Sequence, residues 1–494
     1  MKTTLTSLFK KAKESGMITK NHISKTLKII QLKKLSVAIC FSTFTMLNTT
    51  NYYSQVIGGG QSHSLFLCNN GIPMACGYNY YGQLGDGTTT DKSTPIQITS
   101  LSGIVAIAAG GYHSHSLFLK NNGTVWACGK NSSGQLGDGT TTDKNTPVQI
   151  PSLSGIIAIA AGGDHSLFLR NDGTVWACGD NSFGQLGDGT TINKSTPVQI
   201  PSLSGIVAIA AGYGHSLFLR NDGTVWACGL NDLGQLGNGT AVDQFTPVQI
   251  PSLSGIDTIA AGFAHSLFLK NNGTVWACGK NSSGQLGDGT TTIKSTPVQI
   301  PSISGMVAIA AGEDHSLFLK NDGTVWACGN NFWGQLGDGT TTDRSTPVQI
   351  PSLSGIIAIS TGGFHSLFLK NNGTVRACGL NNYGQLGDGT TNYKSTPVQV
   401  TGLCAVNVEE NLFESNISLY PNPFSTQTTL NSDKYLNNAT INIYNAFGQI
   451  VKQINNISGQ TFTLSNDNLP AGFYFLHLIE NDKIIKTEKL VVSE

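Results

Sequence analysis

Between residues 151 and 200 the apolar positions fall in four short runs separated by Gly, Asn, Asp, Ser and Pro. The runs are "GIIAIAAG" (155–162), "HSLFLR" (165–170), "TVWACG" (174–179) and "TPVQI" (196–200). None repeats every three or four residues, so none reads as a helix. Their length, β-branched content and turn-rich borders predict strands. "NDG" (171–173) is a hairpin turn, because Asn, Asp and Gly tolerate left-handed backbone. The Pro of the fourth run belongs at a strand start or a sheet edge.

The whole pattern recurs. His115, His165, His215, His265, His315 and His365 are each 50 residues apart, and His63 precedes His115 by 52. "GQLG" returns with its first Gly at 82, 134, 184, 234, 284, 334 and 384. This makes seven units over 55–403. Four short antiparallel strands per unit predict a propeller blade, and seven units predict a seven-bladed ring. The end units depart from the pattern. Met74 and Arg376 stand where the others have Trp, and "AISTGG" (358–363) replaces "AIAAG". These units are expected to meet where the ring closes.

"GDHSLFLRNDGTVWACGDNSFGQLGDG" (163–189) resembles the repeat of the regulator-of-chromosome-condensation family, met seven times in 55–403. The resemblance implies a seven-bladed propeller. Members include a nuclear exchange factor, a plant light receptor and secreted bacterial inhibitors of hydrolases, so the fold does not fix the function. One departure is "ACG" where many relatives have "WG".

Residues 404–416 read as a polar linker and 417–494 as short strands expected to form a small β-sandwich. "LYPNPF" (419–424), "YNAFGQIV" (444–451), "LPAGFYFLHL" (469–478) and "KTEKLVV" (486–492) resemble the type A sorting domain of the bacterial type IX secretion system. That resemblance implies entry to the periplasm and export across an outer membrane. It also implies removal of the domain, with release or attachment to surface lipopolysaccharide. Residues 1–54 fit the route. Nine Lys and one acid precede the apolar run "LSVAICFSTFTML" (35–47), which reads as a secretory signal, with Met17 an alternative start.

Charge narrows the partners. Residues 55–494 carry 20 basic and 28 acidic side chains, with only four Arg, which argues against nucleic acid. The periodic His invites a metal or catalytic reading. Equivalent positions form a ring, however, whereas zinc needs about four converging ligands. The His is therefore expected to bond neighbouring backbone. Cys76, Cys128, Cys178, Cys228, Cys278, Cys328 and Cys378 read as buried thiols. Cys68 and Cys404 lie near the two ends of the propeller and could close it by a disulfide. "GDGTTTD" is a fragment of a calcium loop without its closing Glu. No nucleophile elbow, phosphate loop or zincin helix occurs, so no catalytic, cofactor or metal site is assigned.

Variation among the repeats falls just before the His, around the Asn that precedes GQLG, and after GDGTT. In an up-and-down blade all three loops emerge on one face. The near-constant "NNG/NDG" and "PSLSG" loops emerge on the other. Aromatics gather at the variable positions: Tyr80, Tyr81, Tyr112, Phe183, Tyr213, Phe263, Phe332, Trp333, Phe364, Tyr383 and Tyr393. Aromatics on a rigid scaffold are common binding anchors. The expected function is a non-enzymatic, exported module that binds a protein or glycan through this face. A secreted regulator of a hydrolase is a second reading. Nucleotide exchange follows only from the family resemblance.

Overall fold

The computed structural model describes residues 56–494 apart from 112–114, 405, 407–417, 446–449, 468, 481–482 and 494. The expected signal, Tyr112 and almost all of the expected linker lie outside the described residues. The chain divides into two units, Met1–Asn407 and Val408–Glu494.

The first unit holds seven four-stranded antiparallel sheets, each built from four consecutive strands. In the third sheet these are Ile156–Ala161, His165–Arg170, Val175–Gly179 and Lys194–Gln199. The fourth strand starts two residues before "TPVQI". A register shift lets Gly179 pair with Lys194, which brings Lys194 and Ser195 into the strand ahead of Pro197. Pro197 is tolerated because this is the outermost strand of the blade.

Each blade lacks a private core. Leu136, from the GQLG loop of the second blade, packs with Leu117, Leu119 and Val125 of its own blade and with Phe168 and Cys178 of the next. The same arrangement recurs around the ring. The repeated Leu therefore plugs the seam between blades rather than the interior of one blade. Each fully buried Leu contributes about 1.5–3 kcal/mol of apolar burial.

The departing end units meet at the closure, as their sequences suggest. The innermost strand of the first blade is only three residues, Ile57–Gly59. The Gly59 N–H donates to the Ser360 hydroxyl at 3.1 Å, so the odd Ser of "AISTGG" serves the closing seam. Cys68 and Cys404 form a disulfide with Cα atoms 5.8 Å apart, and Val406 bridges to Cys68 beside it. The remaining described cysteines are free and buried.

The second unit is all β. A long hairpin pairs Gln427–Tyr444 with Ile450–Ser465, and Ser418–Tyr420, Gly472–Glu480 and Lys483–Val492 complete five strands. The hairpin ladder shifts register several times, with Asn438 and Asn456 at positive φ. Leu430 and Leu464 near one end of the hairpin share a core with Ile441, Ile443, Leu476 and Leu490.

Candidate binding face and axial pocket

The GQLGDGT loop is organised by its buried Asn. The Asn131 amide donates to Asp138, Thr140 and the Thr142 carbonyl, while its Oδ1 accepts from the Leu136 N–H. Asp138 also accepts from Thr140 and sits 3.6 Å from Lys144. These contacts hold its carboxyl below the usual range despite partial burial. A carboxylate that a calcium loop would give to the ion is here given to Asn, Thr and Lys of the same loop. Arg344 takes the Lys place beside Asp338, at 2.8 Å.

The histidines do form a ring, but their partners differ from the expected backbone. The Oγ–H of Ser216 donates to the Gln185 carbonyl at 2.7 Å, so that hydroxyl must accept from Nε2–H of His165 at 3.0 Å. Every blade repeats this contact with the next. His365 closes the circle on Ser64 at 2.9 Å, and Ser64 donates to Gln385. Nδ1 is then the unprotonated nitrogen. A Cβ at Gly162 would lie 2.3 Å from the His165 ring; a Gly likewise faces every other His ring, three residues ahead of it in six units and, as Gly110, five residues ahead of His115. Burial lowers these pKa values to about 3 for His63, His115, His215 and His315. It lowers those of His165, His265 and His365 to about 4. A neutral, hydrogen-bonded His at each seam is a structural part. The ring of Cys behaves likewise. Cys178 Sγ lies 3.5 Å from the Gln135 carbonyl, and burial raises its pKa.

A second ring, of backbone bonds, surrounds the axis on the variable face. Gln61 N–H donates to Gly110, Gly111 to Gly162, Gly163 to Gly212, Tyr213 to Gly262, Phe263 to Gly312, Glu313 to Gly363, and Gly363 to Gly60. These residues rim a pocket of about 100 Å³. Its lining is uneven. Gly111, Gly163 and Gly363 leave space, whereas Tyr213 and Phe263 stack with centroids 4.3 Å apart.

The loops that vary share this face, because the strand order places the first-to-second and third-to-fourth connections at one end. The Leu230 N–H, for example, donates to Gly214 across those two loops. Of the predicted aromatics, Tyr80 and Phe332 are each 65% exposed, Tyr393 is 51% and Tyr383 is 39%. Tyr81, Phe183, Tyr213, Phe263, Trp333 and Phe364 are half-buried.

The structure gathers most of these residues in three groups. Tyr80 and Tyr81 meet edge to face at 5.0 Å, and Tyr78, absent from the predicted set, joins them to Tyr383 across the closing seam. Phe332 meets Trp333 at 4.8 Å, and Trp333 approaches Tyr393 at 6.1 Å. Tyr213 and Phe263 sit at the axis. Phe183 stands apart from these groups, against Gly214.

Sequence reasoning also missed a pair of ionic links between blades. Lys280 bonds Asp314 at 2.8 Å, and Lys130 lies 3.8 Å from Asp164. Each Asp also accepts from the Gln of the preceding GQLG at 2.7 Å. The signal was available: both units that read "KNSSGQLG" are followed, 34 residues after the Lys, by Asp.

Seven such blades, two closed hydrogen-bond rings and one furnished face define the class. The RCC1-like domain model matches residues 42–308 and 156–420, and the chain belongs to that family. The secretion system C-terminal sorting domain model matches residues 418–493. The protein is thus an RCC1-repeat propeller exported by type IX secretion to the cell surface or extracellular space. The chain is 33% identical over 107 residues to the ultraviolet-B receptor UVR8 of Arabidopsis thaliana, a match covering 21% of this chain and 24% of that protein. It is 40% identical over 96 residues to human protein RCC2, covering 19% and 18%. Each match therefore spans a quarter or less of the relative. The crystal structure of human WBSCR16 superposes with a TM-score of 0.61 at 23% identity, covering 67% of this chain and 94% of that one.

Proposed function

We propose that the exported propeller is a binding module that engages a protein or glycan through the face carrying the three aromatic groups. The observation that supports this is the placement of Phe332, Trp333 and Tyr393, and of Tyr80, Tyr81 and Tyr383, as partly exposed clusters on one face. Exposed aromatic anchors typically cost about 2 kcal/mol or more of binding when truncated. A solvent-exposed change away from structural contacts alters stability by about 0.5 kcal/mol or less.

The test uses the full exported chain. Ligands are collected on a glycan array and by capture from surface extracts, then titrated against Phe332→Ala/Trp333→Ala and against Ser202→Ala in the opposite loops. The aromatic double variant loses about thirtyfold or more in affinity. Ser202→Ala binds as the parent does. Equal affinity of all three for every ligand found would overturn the reading.

A further inference from the structure

The axial pocket is built unlike the rest of the ring. Of its lining residues, one is acidic, Glu313, and it is half-buried. Its side-chain hydrogen-bond partner is Gln61. The nearest cation, Lys280, is held by Asp314 at 2.8 Å, and the other oxygen of Asp314 takes Gln285 at 2.7 Å. Among the described residues Glu313 is in no ion pair. A half-buried carboxylate without a matching cation is unfavourable, and a ligand that brings one relieves it. The Gln61 side-chain NH2 donates to Glu313, which leaves its Oε1 able to accept a hydrogen bond. Beside this polar half, Tyr213 and Phe263 present a stacked aromatic wall.

Size restricts the occupant further. The pocket of about 100 Å³ is lined mostly by Gly and Ala around the axis. That suits a compact head group carried on a thin stem. From this geometry we infer that the axial mouth binds a primary ammonium group, its protons shared by Glu313 and Gln61 and its carbon stem against Tyr213 and Phe263. The inference rests on the loop-face reading above and assigns the chemistry at the centre of that face. Cation and aromatic wall also attract each other electrostatically. The stem favours a lysine side chain of a protein ligand as the source; an amino sugar, whose nitrogen is bonded directly to its ring, is the alternative that the test separates.

The test titrates the full exported chain by calorimetry and ligand-observed NMR with four probes: Nα-acetyl-lysine methylamide, glucosamine, and the amine-acetylated form of each. At least one amine binds, and its acetylated form binds about tenfold or more weaker. The amine that binds identifies the source. Glu313→Gln produces the same loss without lowering the melting temperature, and Gln61→Leu weakens binding less. Amines that bind no better than their acetylated forms overturn the inference on the unaltered protein, whatever the variants do. So does a folded Glu313→Gln chain with parental affinity. If Glu313→Gln also keeps every surface ligand while Phe332→Ala/Trp333→Ala loses them, the axial assignment falls and the face reading stands. If both variants keep them, both fall.

Discussion

Acidification from pH 7 to pH 6 should strip stability from the propeller, through its histidines rather than its carboxylates. Seven fully buried imidazoles are held neutral, with pKa values of about 3 to 4 against an ordinary value of 6.5. The unfolded chain binds protons at these sites as pH falls through about 6.5, and the folded chain does not. The stabilisation is therefore whole above about pH 7.5 and is lost progressively as pH drops toward the folded values. The loss between pH 7 and pH 6 is about 0.7 kcal/mol per histidine, or about 5 kcal/mol for seven. The size of the shift hardly matters in this window, provided the folded pKa stays well below 6. Glu313 and Asp257, whose pKa values are raised, oppose the trend weakly. A domain is typically stable by about 5–15 kcal/mol, so the effect is large. Urea unfolding at steps between pH 8 and pH 5.5 measures it, and calorimetry in buffers of different ionisation heat counts the protons taken up. A change below about 1 kcal/mol between pH 7 and pH 6, or uptake of fewer than about two protons near pH 5.5, would refute the neutral His–Ser ring.

Two further outcomes concern closure and export. Replacing Cys68 and Cys404 by Ser opens a covalent loop with a sequence separation of 336. Chain entropy puts the loss at about 6 kcal/mol, or a Tm lower by about 8 °C for a domain this long. An unchanged Tm in scanning calorimetry would mean that hydrogen bonds and packing alone hold the seam. Deleting residues 418–493 should leave the propeller in the periplasm, read by fractionation and immunoblot. Undiminished export of the shortened chain would show that another signal directs it.

The fold was legible because its determinants are local and repeated. Seven copies of "HSLFL", five of them followed by "TVWACG" and two by close variants, state the strand pattern, and the Pro in each fourth run marks the outer edge. What was hidden is what one blade does to the next. The Leu of GQLG looks like a core residue of its own unit, yet it packs against Phe168 or its equivalent 30 or so residues on. The His looks like a backbone partner, yet it meets a Ser 51 residues away. Linear spacing carries no record of either contact. The Cys68–Cys404 bond was equally open, because only the closed ring brings its ends to 5.8 Å. For the candidate face, the one-sided variation was readable. The uneven furnishing of the axis was not, because Gln61 and Glu313 look like two unrelated loop letters until the ring sets them together.

The hydrogen bonds that join blade to blade are the same at every seam, and that sameness has a consequence for assembly. His165 would fit Ser266 as well as Ser216, since both are the second residue of an identical "HSLFL" strand. Nothing in the repeated contacts tells a folding chain which blade should stand beside which. That information lies in the unrepeated ones: Ser360 against Gly59, Cys404 against Cys68, and Lys130 or Lys280 against its Asp. These few contacts act as addresses. They fix where the circle begins and ends, and they are the positions at which a chain with one blade too many or too few would be left with unmatched ends.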